Sequence, residues 1–269
     1  MKLPIDFAFS QANLQDFMDC EYRFLLKHIH KLEWPAVESE PARLHEEKME
    51  LGYQFHRMVQ QYFSGVDPEI LQGTIDNTDL SFWWQSFVTL QASQISGTSR
   101  PELLISVPFH GYRLLAKFDL LVLDDAPIAK IYDWKTSQVK PNRSNLQKKI
   151  QTMVYPLVLF LGHTGFQPAI NLSPDKIEMT YWFPQFPFDP ITFSYSQGQF
   201  DRDVDLLTGM VDSILAKSES GFNKTDQPQK CAFCRYRSLC NRGKSAGSNT
   251  TEESVLSADD LETLSFDAL

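Results

Sequence analysis

With 269 residues, 42% of them apolar and twenty of them phenylalanine, the chain can bury about 75% of its unfolded surface, which excludes a disordered or fibrous protein. No apolar run approaches the roughly 20 residues of a spanning helix, and the start "MKLPIDFAFSQANLQDF" has no basic stretch leading into an apolar one. Neither a transmembrane helix nor a signal peptide is therefore expected, a cytoplasmic location is the default, and a net charge of −9 excludes a surface uniformly coated for DNA binding.

In chain order, residues 10–29 read as a helix with Ser10 as N-cap, 43–63 as a second and 79–95 as a third. The texture then changes. Residues 102–109, 112–124 and 129–137 are short apolar runs separated by "HG" and "DDAP", the pattern of neighbouring strands. A helix is expected over 145–162, with Pro156 kinking it or starting a new segment. Two more strands follow at 176–183 and 191–196, then a helix over 199–220. A cysteine-bearing segment and a Ser/Thr/acid tail, expected to be flexible from about Ser245, close the chain. This order implies an α/β domain with a central sheet flanked by helices and an N-terminal helical addition.

Charge is unevenly spread. Residues 252–269 carry six acids and no base. Residues 130–149 carry six bases (Lys130, Lys135, Lys140, Arg143, Lys148 and Lys149) against Asp133, and 224–244 carry six bases against Asp226. Either basic segment could contact phosphates, or form a solvated face.

Side chains alternate across a strand, so Asp133 and Lys135 share a face and Trp134 takes the other. On the preceding strand Lys117, Asp119 and Leu121 share a face, opposite Ala116, Phe118 and Leu120. If the two strands pair, Asp119 and Asp133 lie side by side with Lys135 beside them. Burial would drive protons onto two such carboxylates, and a divalent cation with oxygen ligands, Mg²⁺ or Mn²⁺, removes the conflict. An ordinary Asp–Lys pair at a sheet edge is the alternative. Gln151 and Tyr155 are four apart on a helix, hence on one face, where an amide and a phenol could meet DNA. His56 sits among apolar helical neighbours as a candidate ligand, and Glu102 opens the first strand as an additional one.

The four cysteines are Cys20 and the set Cys231, Cys234 and Cys240, spaced Cys-x2-Cys-x5-Cys. Three thiols within ten residues plus one distant partner indicate a metal or cluster site, and spacing alone leaves zinc and iron–sulfur open.

Together these motifs resemble the iron–sulfur branch of the RecB-like PD-(D/E)XK nucleases, which includes CRISPR-associated adaptation nucleases, the AddB subunit of AddAB helicase–nucleases and related replication nucleases. The family pattern is matched by Gly52…His56, Ala116-Lys117-Phe118-Asp119, Asp133-Trp134-Lys135, Gln151…Tyr155, Cys20 and the C-terminal cysteines, over about residues 15–243. Ala116 departs from the usual glycine. The resemblance implies a restriction-endonuclease-like α/β fold with a C-terminal iron–sulfur clasp. It implies one nuclease domain over 1–244 (mainly helical 1–98, catalytic sheet core 99–218, cysteine clasp 219–244) and an acidic tail over 245–269. It further implies that Asp119, Asp133, the Trp134 carbonyl and His56 hold the catalytic Mg²⁺ or Mn²⁺, and that Lys135 positions the attacking water. Gln151 and Tyr155, beside Lys148 and Lys149, would engage DNA, and Cys20, Cys231, Cys234 and Cys240 would hold a 4Fe-4S cluster. The implied activity is exonucleolytic, on single strands or duplex ends. A catalytically silent DNA-binding or assembly subunit and a zinc-stapled structural protein remain as other classes. No Gly-x-x-x-x-Gly-Lys-Ser/Thr loop is present, so unwinding would need a partner helicase, and CRISPR adaptation proteins are the other implied partners.

Overall fold

The structure is a computed structural model and describes residues 3–34, 40–123, 128–166 and 171–243; the acidic tail lies outside them. A short strand, β1 (Ala8–Ser10), leads into α1 (Gln11–Asp19). Ser10 caps that helix reciprocally: its hydroxyl accepts from the Asn13 N–H at 3.3 Å, and the Asn13 side chain accepts from the Ser10 N–H at 2.9 Å. The expected single helix over 10–29 is broken. α2 (Glu21–Phe24) follows Cys20, whose backbone is extended at φ −163°, and runs into a π-helical turn, Leu25–Ile29. The break persists because the Tyr22 N–H donates to the Asn223 carbonyl at 3.0 Å, across the fold, rather than to a helical carbonyl behind it. Cys20 therefore sits at a joint, not on a helix.

α3 (Glu40–Phe63), α4 (Pro68–Gln72) and α5 (Thr78–Ser86) follow, the last loosening into a π turn over Phe87–Gln91. β2 (Thr98–Phe109) and β3 (Tyr112–Leu123) form a hairpin. Its two-residue loop, His110-Gly111, is left-handed at both positions (φ 46° and 78°), the twist that a tight hairpin needs. β4 (Ala129–Trp134), α6 (Arg143–Gln147), α7 (Ile150–Gly162), β5 (Ile177–Trp182), β6 (Ile191–Ser194) and α8 (Gln197–Ala216) complete the order. The helix expected over 145–162 is divided at the extended Lys149, whereas Pro156 lies inside α7 rather than starting a new segment.

The strands form one mixed sheet. β2 occupies one edge of β3 along its length, while β1 (parallel) and β4 (antiparallel) share the other edge, at residues 113–115 and 120–123. β4 pairs parallel with β5, and β5 antiparallel with β6. α7, with α1 and α8, covers one face over a core that includes Phe9, Leu114, Phe118, Leu121, Ile131, Val154, Leu157 and Tyr181. α3 and α5 cover the other through Phe55, Trp83, Trp84, Leu120, Val122, Trp134 and Trp182.

The strict alternation expected for β3 does not hold. Ala116 and Phe118 join the first core, but beyond Asp119 it is Leu121 and Leu123 that do, while Leu120 and Val122 join the second. The phase changes at Asp119, opposite a left-handed residue, Glu102 (φ 53°), in β2.

α7 closes on Gly162, where a Cβ would fall 2.4 Å from Ile105 Cγ2 and 3.0 Å from Val107 Cγ1, both on buried side chains of β2, so the packing there requires glycine. Gly162→Ala is expected to destabilise the fold by about 1–3 kcal/mol through overpacking. Thermal unfolding followed by circular dichroism should show a loss of roughly 2–4 °C per kcal/mol.

Candidate active site and cysteine centre

The β3–β4 ladder runs from Leu123↔Ala129 to Leu120↔Tyr132 and stops; the next rung would be Asp119 opposite Asp133. There the Trp134 N–H donates to Asp119 Oδ2 at 2.8 Å, so a side chain takes over from the backbone ladder. On the other edge, β2 pairs on both sides of Glu102, as Pro101↔Leu120 and Leu103↔Phe118, leaving Glu102 opposite Asp119. Glu102 thus lies in mid-strand rather than opening the strand, and its left-handed backbone costs roughly 1–2 kcal/mol. Three carboxylates from three adjacent strands form one row, with Asp119 and Asp133 buried.

Each is met by a donor or a positive charge. Lys135 Nζ lies 2.6 Å from Asp133 Oδ2 and donates to Gln151 Oε1 at 3.0 Å, while Gln151 Nε2 donates to Asp133 Oδ1 at 2.6 Å. The triangle is closed and buried, and the Lys135 ammonium stands 5.5 Å from the Tyr181 ring centre. His56, from α3, places Nδ1 3.4 Å from Asp119 Oδ1, and Lys117 forms an ion pair with Glu102. Burial raises the Glu102 carboxyl above its ordinary range, helped by the Asp119 charge; Lys117 and His56 oppose the shift.

The structure therefore brings His56, Glu102, Asp119, Asp133, Lys135 and Gln151 together around Trp134, whose indole points into the second core. Two expectations need correction. Gln151 is not turned outward to DNA, because its amide is engaged by Asp133 and Lys135. Tyr155 is buried edge-on against Phe118, with ring centres 5.2 Å apart, because the helical face carrying both residues packs on the sheet. Lys148 is exposed and Lys149 half-buried at the α6–α7 junction. Sequence reasoning missed Ser137, whose buried hydroxyl has no hydrogen-bond partner among the described residues, and Lys48, which reaches Gln138 at 2.8 Å. The signal for the first was the polar run Thr136-Ser137-Gln138 directly after a core strand.

Among the described residues, no three His, Cys, Asp or Glu side chains already converge as a metal-binding group. Asp133 is turned to Lys135 and Gln151 instead. The donor chemistry nevertheless fits a hard divalent cation: adjacent buried carboxylates, a main-chain carbonyl and an imidazole.

All four cysteines are free thiols and line one cavity, together with Arg23, Lys224, Lys230 and Arg242. Arg242 Nη1 lies 3.5 Å from Cys231 Sγ. Burial pushes the Cys234 thiol up to about 11, with Cys231 and Cys20 adding to the shift and Arg23 opposing it. Cys240 is also raised by burial. The cavity joins the chain ends. Asp19 holds Lys230 at 2.6 Å, and Arg23 donates to the Lys230 carbonyl at 3.3 Å. Arg23 also pairs with Asp16 at 2.7 Å; against the effect of burial, Arg23, His28 and Lys27 hold that carboxyl well below the usual range. Arg237 also lines the cavity, so five cationic side chains share it with the four thiols.

A family profile described as the PD-(D/E)XK nuclease superfamily matches residues 8–241. Among solved structures, the protein SSO0001 is 14% identical with a TM-score of 0.41, the match covering 89% of this chain and 88% of that one. A candidate exonuclease from Eubacterium rectale is 12% identical with a TM-score of 0.47, over 80% of this chain and 86% of that one. No curated protein sequence matches.

Replacing Gln151 by Leu removes both of its bonds and leaves a buried carboxylate and ammonium short of partners. A loss of about 1–3 kcal/mol is expected, read as a lower midpoint in urea denaturation with an unchanged slope.

Proposed function

The chain belongs to the PD-(D/E)XK nuclease superfamily, and from that premise we propose that it is a metal-dependent deoxyribonuclease acting exonucleolytically on single-stranded DNA or duplex ends. The observation that carries the reading is the row of Glu102, Asp119 and Asp133 closed at one end by Lys135. A bound Mg²⁺ or Mn²⁺ would supply Lewis-acid polarisation of the phosphate and a more acidic water. Asp119, Asp133 and the Trp134 carbonyl would hold it, with His56 as a further ligand and Glu102 as an additional carboxylate. Lys135 would position the attacking water and balance charge developing on the phosphate, with Gln151 fixing the lysine and Asp133 relative to each other. Tyr155 would support Gln151 from below, and Lys148 and Lys149 would contact backbone phosphates at the mouth of the site. The four cysteines would hold a 4Fe-4S cluster as a clasp between the two ends of the chain, placing the protein in the RecB-like iron–sulfur branch. Zinc is the alternative occupant. A helicase or CRISPR adaptation proteins would be the assembly partners.

Asp119→Ala and Asp133→Ala are expected to abolish release of nucleotides from end-labelled DNA with Mn²⁺ or Mg²⁺ and to weaken metal binding measured by calorimetry. Lys135→Ala should lose about 10²–10⁴-fold in rate with metal still bound. Full activity of a folded Asp133→Ala protein would sink the assignment.

Joining Cys20 to a segment some 210 residues away restricts the unfolded chain by on the order of 5 kcal/mol in the loop-entropy treatment. Cys20→Ala should accordingly bleach protein purified without oxygen and lower its melting temperature. Iron and sulfide analysis of the unsubstituted protein identifies the occupant: one zinc and no iron would keep the clasp and reject the cluster.

A further inference from the structure

We propose that the cavity beside β1 is a second nucleic-acid site, a phosphate-binding station for the substrate strand outside the catalytic row. This rests on the nuclease reading above. The cavity is lined by Lys27, Lys31 and Arg235 around a floor that includes Phe7, Ser10 and Leu115. The three cations come from three segments: the π turn, the turn after it and the cysteine segment. Asp6 and Glu33 also line it, but Glu33 is almost fully exposed and stands 3.8 Å from Arg235. Lys27 is balanced by Asp16 at 3.1 Å. Lys31 is exposed, and no ion pair is seen for it among the described residues.

The backbone here is held in uncommon conformations. A π turn at Leu25–Ile29 is a rare geometry associated with functional sites. Lys31 is left-handed, with φ 47°, where a glycine or asparagine would sit more easily. Two bonds from the cysteine segment pin this turn: the Tyr236 hydroxyl donates to the Leu32 carbonyl at 3.0 Å, and the Trp34 indole donates to Ser238 Oγ at 2.8 Å. Surroundings that over-determine a strained cationic turn preorganise it for a ligand. In a chain of net charge −9, a cavity rimmed by cations marks an anionic ligand rather than general surface charge.

The position identifies that ligand as the strand being cut. Leu115 lies four residues before Asp119 on β3, so the cavity floor is about 13 Å from the carboxylate row. Arg113 and Lys117 flank Leu115 on the same strand face, Arg113 exposed and Lys117 half-buried beside Glu102. Of the two, Lys117 stands between the cavity floor and the row, where it is paired with Glu102, and Arg113 lies on the far side of Leu115, hydrogen-bonded to Ser106. At about 3.4 Å per stacked nucleotide, the stretch from floor to row takes roughly four nucleotides. Phe7 supplies an aromatic surface on which a base can stack.

The test uses full-length protein with Lys31→Asn, which keeps a residue tolerant of the left-handed backbone, and with Arg235→Gln. Fluorescence anisotropy with a labelled twelve-nucleotide single strand in EDTA reads binding without cleavage. Each variant is expected to bind about 3–10-fold more weakly and to reduce the salt slope by about 0.7, the value of one phosphate contact on a single strand. With Mn²⁺, KM for the twelve-nucleotide strand should rise while kcat stays within about twofold, and cleavage of a three-nucleotide substrate should not change. The melting temperature of Lys31→Asn should equal or exceed that of the parent, separating lost contact from lost fold. Unchanged affinity and salt slope, or an equal loss on the three-nucleotide substrate, would overturn the site while leaving the nuclease reading intact. Parent protein that neither binds nor cleaves DNA would overturn both.

Discussion

Negative charge placed inside an apolar sheet is the constraint around which this fold is arranged. Two buried aspartates and a strained glutamate cannot share one row across β2, β3 and β4 without neutralisation. Every element bordering the row supplies some. β4 contributes Lys135, β3 contributes Lys117, α7 contributes Gln151 and α3 contributes His56. Of the helices that cover the sheet, α7 and α3 each bring one polar residue to the row. The two cores, one beneath α7 and one beneath α3 and α5, are positioned by the same contacts that satisfy the carboxylates.

The same row explains the irregularities of the sheet. The β3–β4 ladder ends where Asp119 takes the Trp134 N–H, so the strands part at the site. The phase of alternation along β3 changes at that residue, and the left-handed Glu102 absorbs the change in β2 without altering the register. Strain of this kind persists only where packing on both faces over-determines it.

α3 links this site to the far pole. Its first half stacks His45 on Phe233 of the cysteine segment, with ring centres 4.5 Å apart, and reaches Gln138 through Lys48 just beyond Lys135. Farther along, the same helix delivers His56 to Asp119. The cysteine segment also pins the strained turn at Lys31, and Asp19, Arg23 and Tyr22 tie α1 and α2 to Lys230 and Asn223 in the segment after α8. One helix and a set of ion pairs and hydrogen bonds therefore connect the thiol cavity, the cationic cavity and the carboxylate row.

The sequence alone determined what depends on neighbours a few residues away. Periodicity identified the β2–β3–β4 succession and the long helices, and the pairing expected of β3 with β4 set Asp119 level with Asp133 and near Lys135, because the register of neighbouring strands is a local property. What lay beyond it was decided by partners distant in sequence. Cys20 became a helix joint because Tyr22 bonds Asn223, some 200 residues away. Gln151 turned inward because Asp133 and Lys135 were there to receive it, and Tyr155 was buried because α7 packs on Phe118. Glu102 met Asp119 only because β2 accepts a left-handed residue in mid-strand, and no propensity predicts that for glutamate. Local pattern chose the residues; the sheet and its covering helices decided which way each side chain faced, since a buried charge must face whatever can neutralise it.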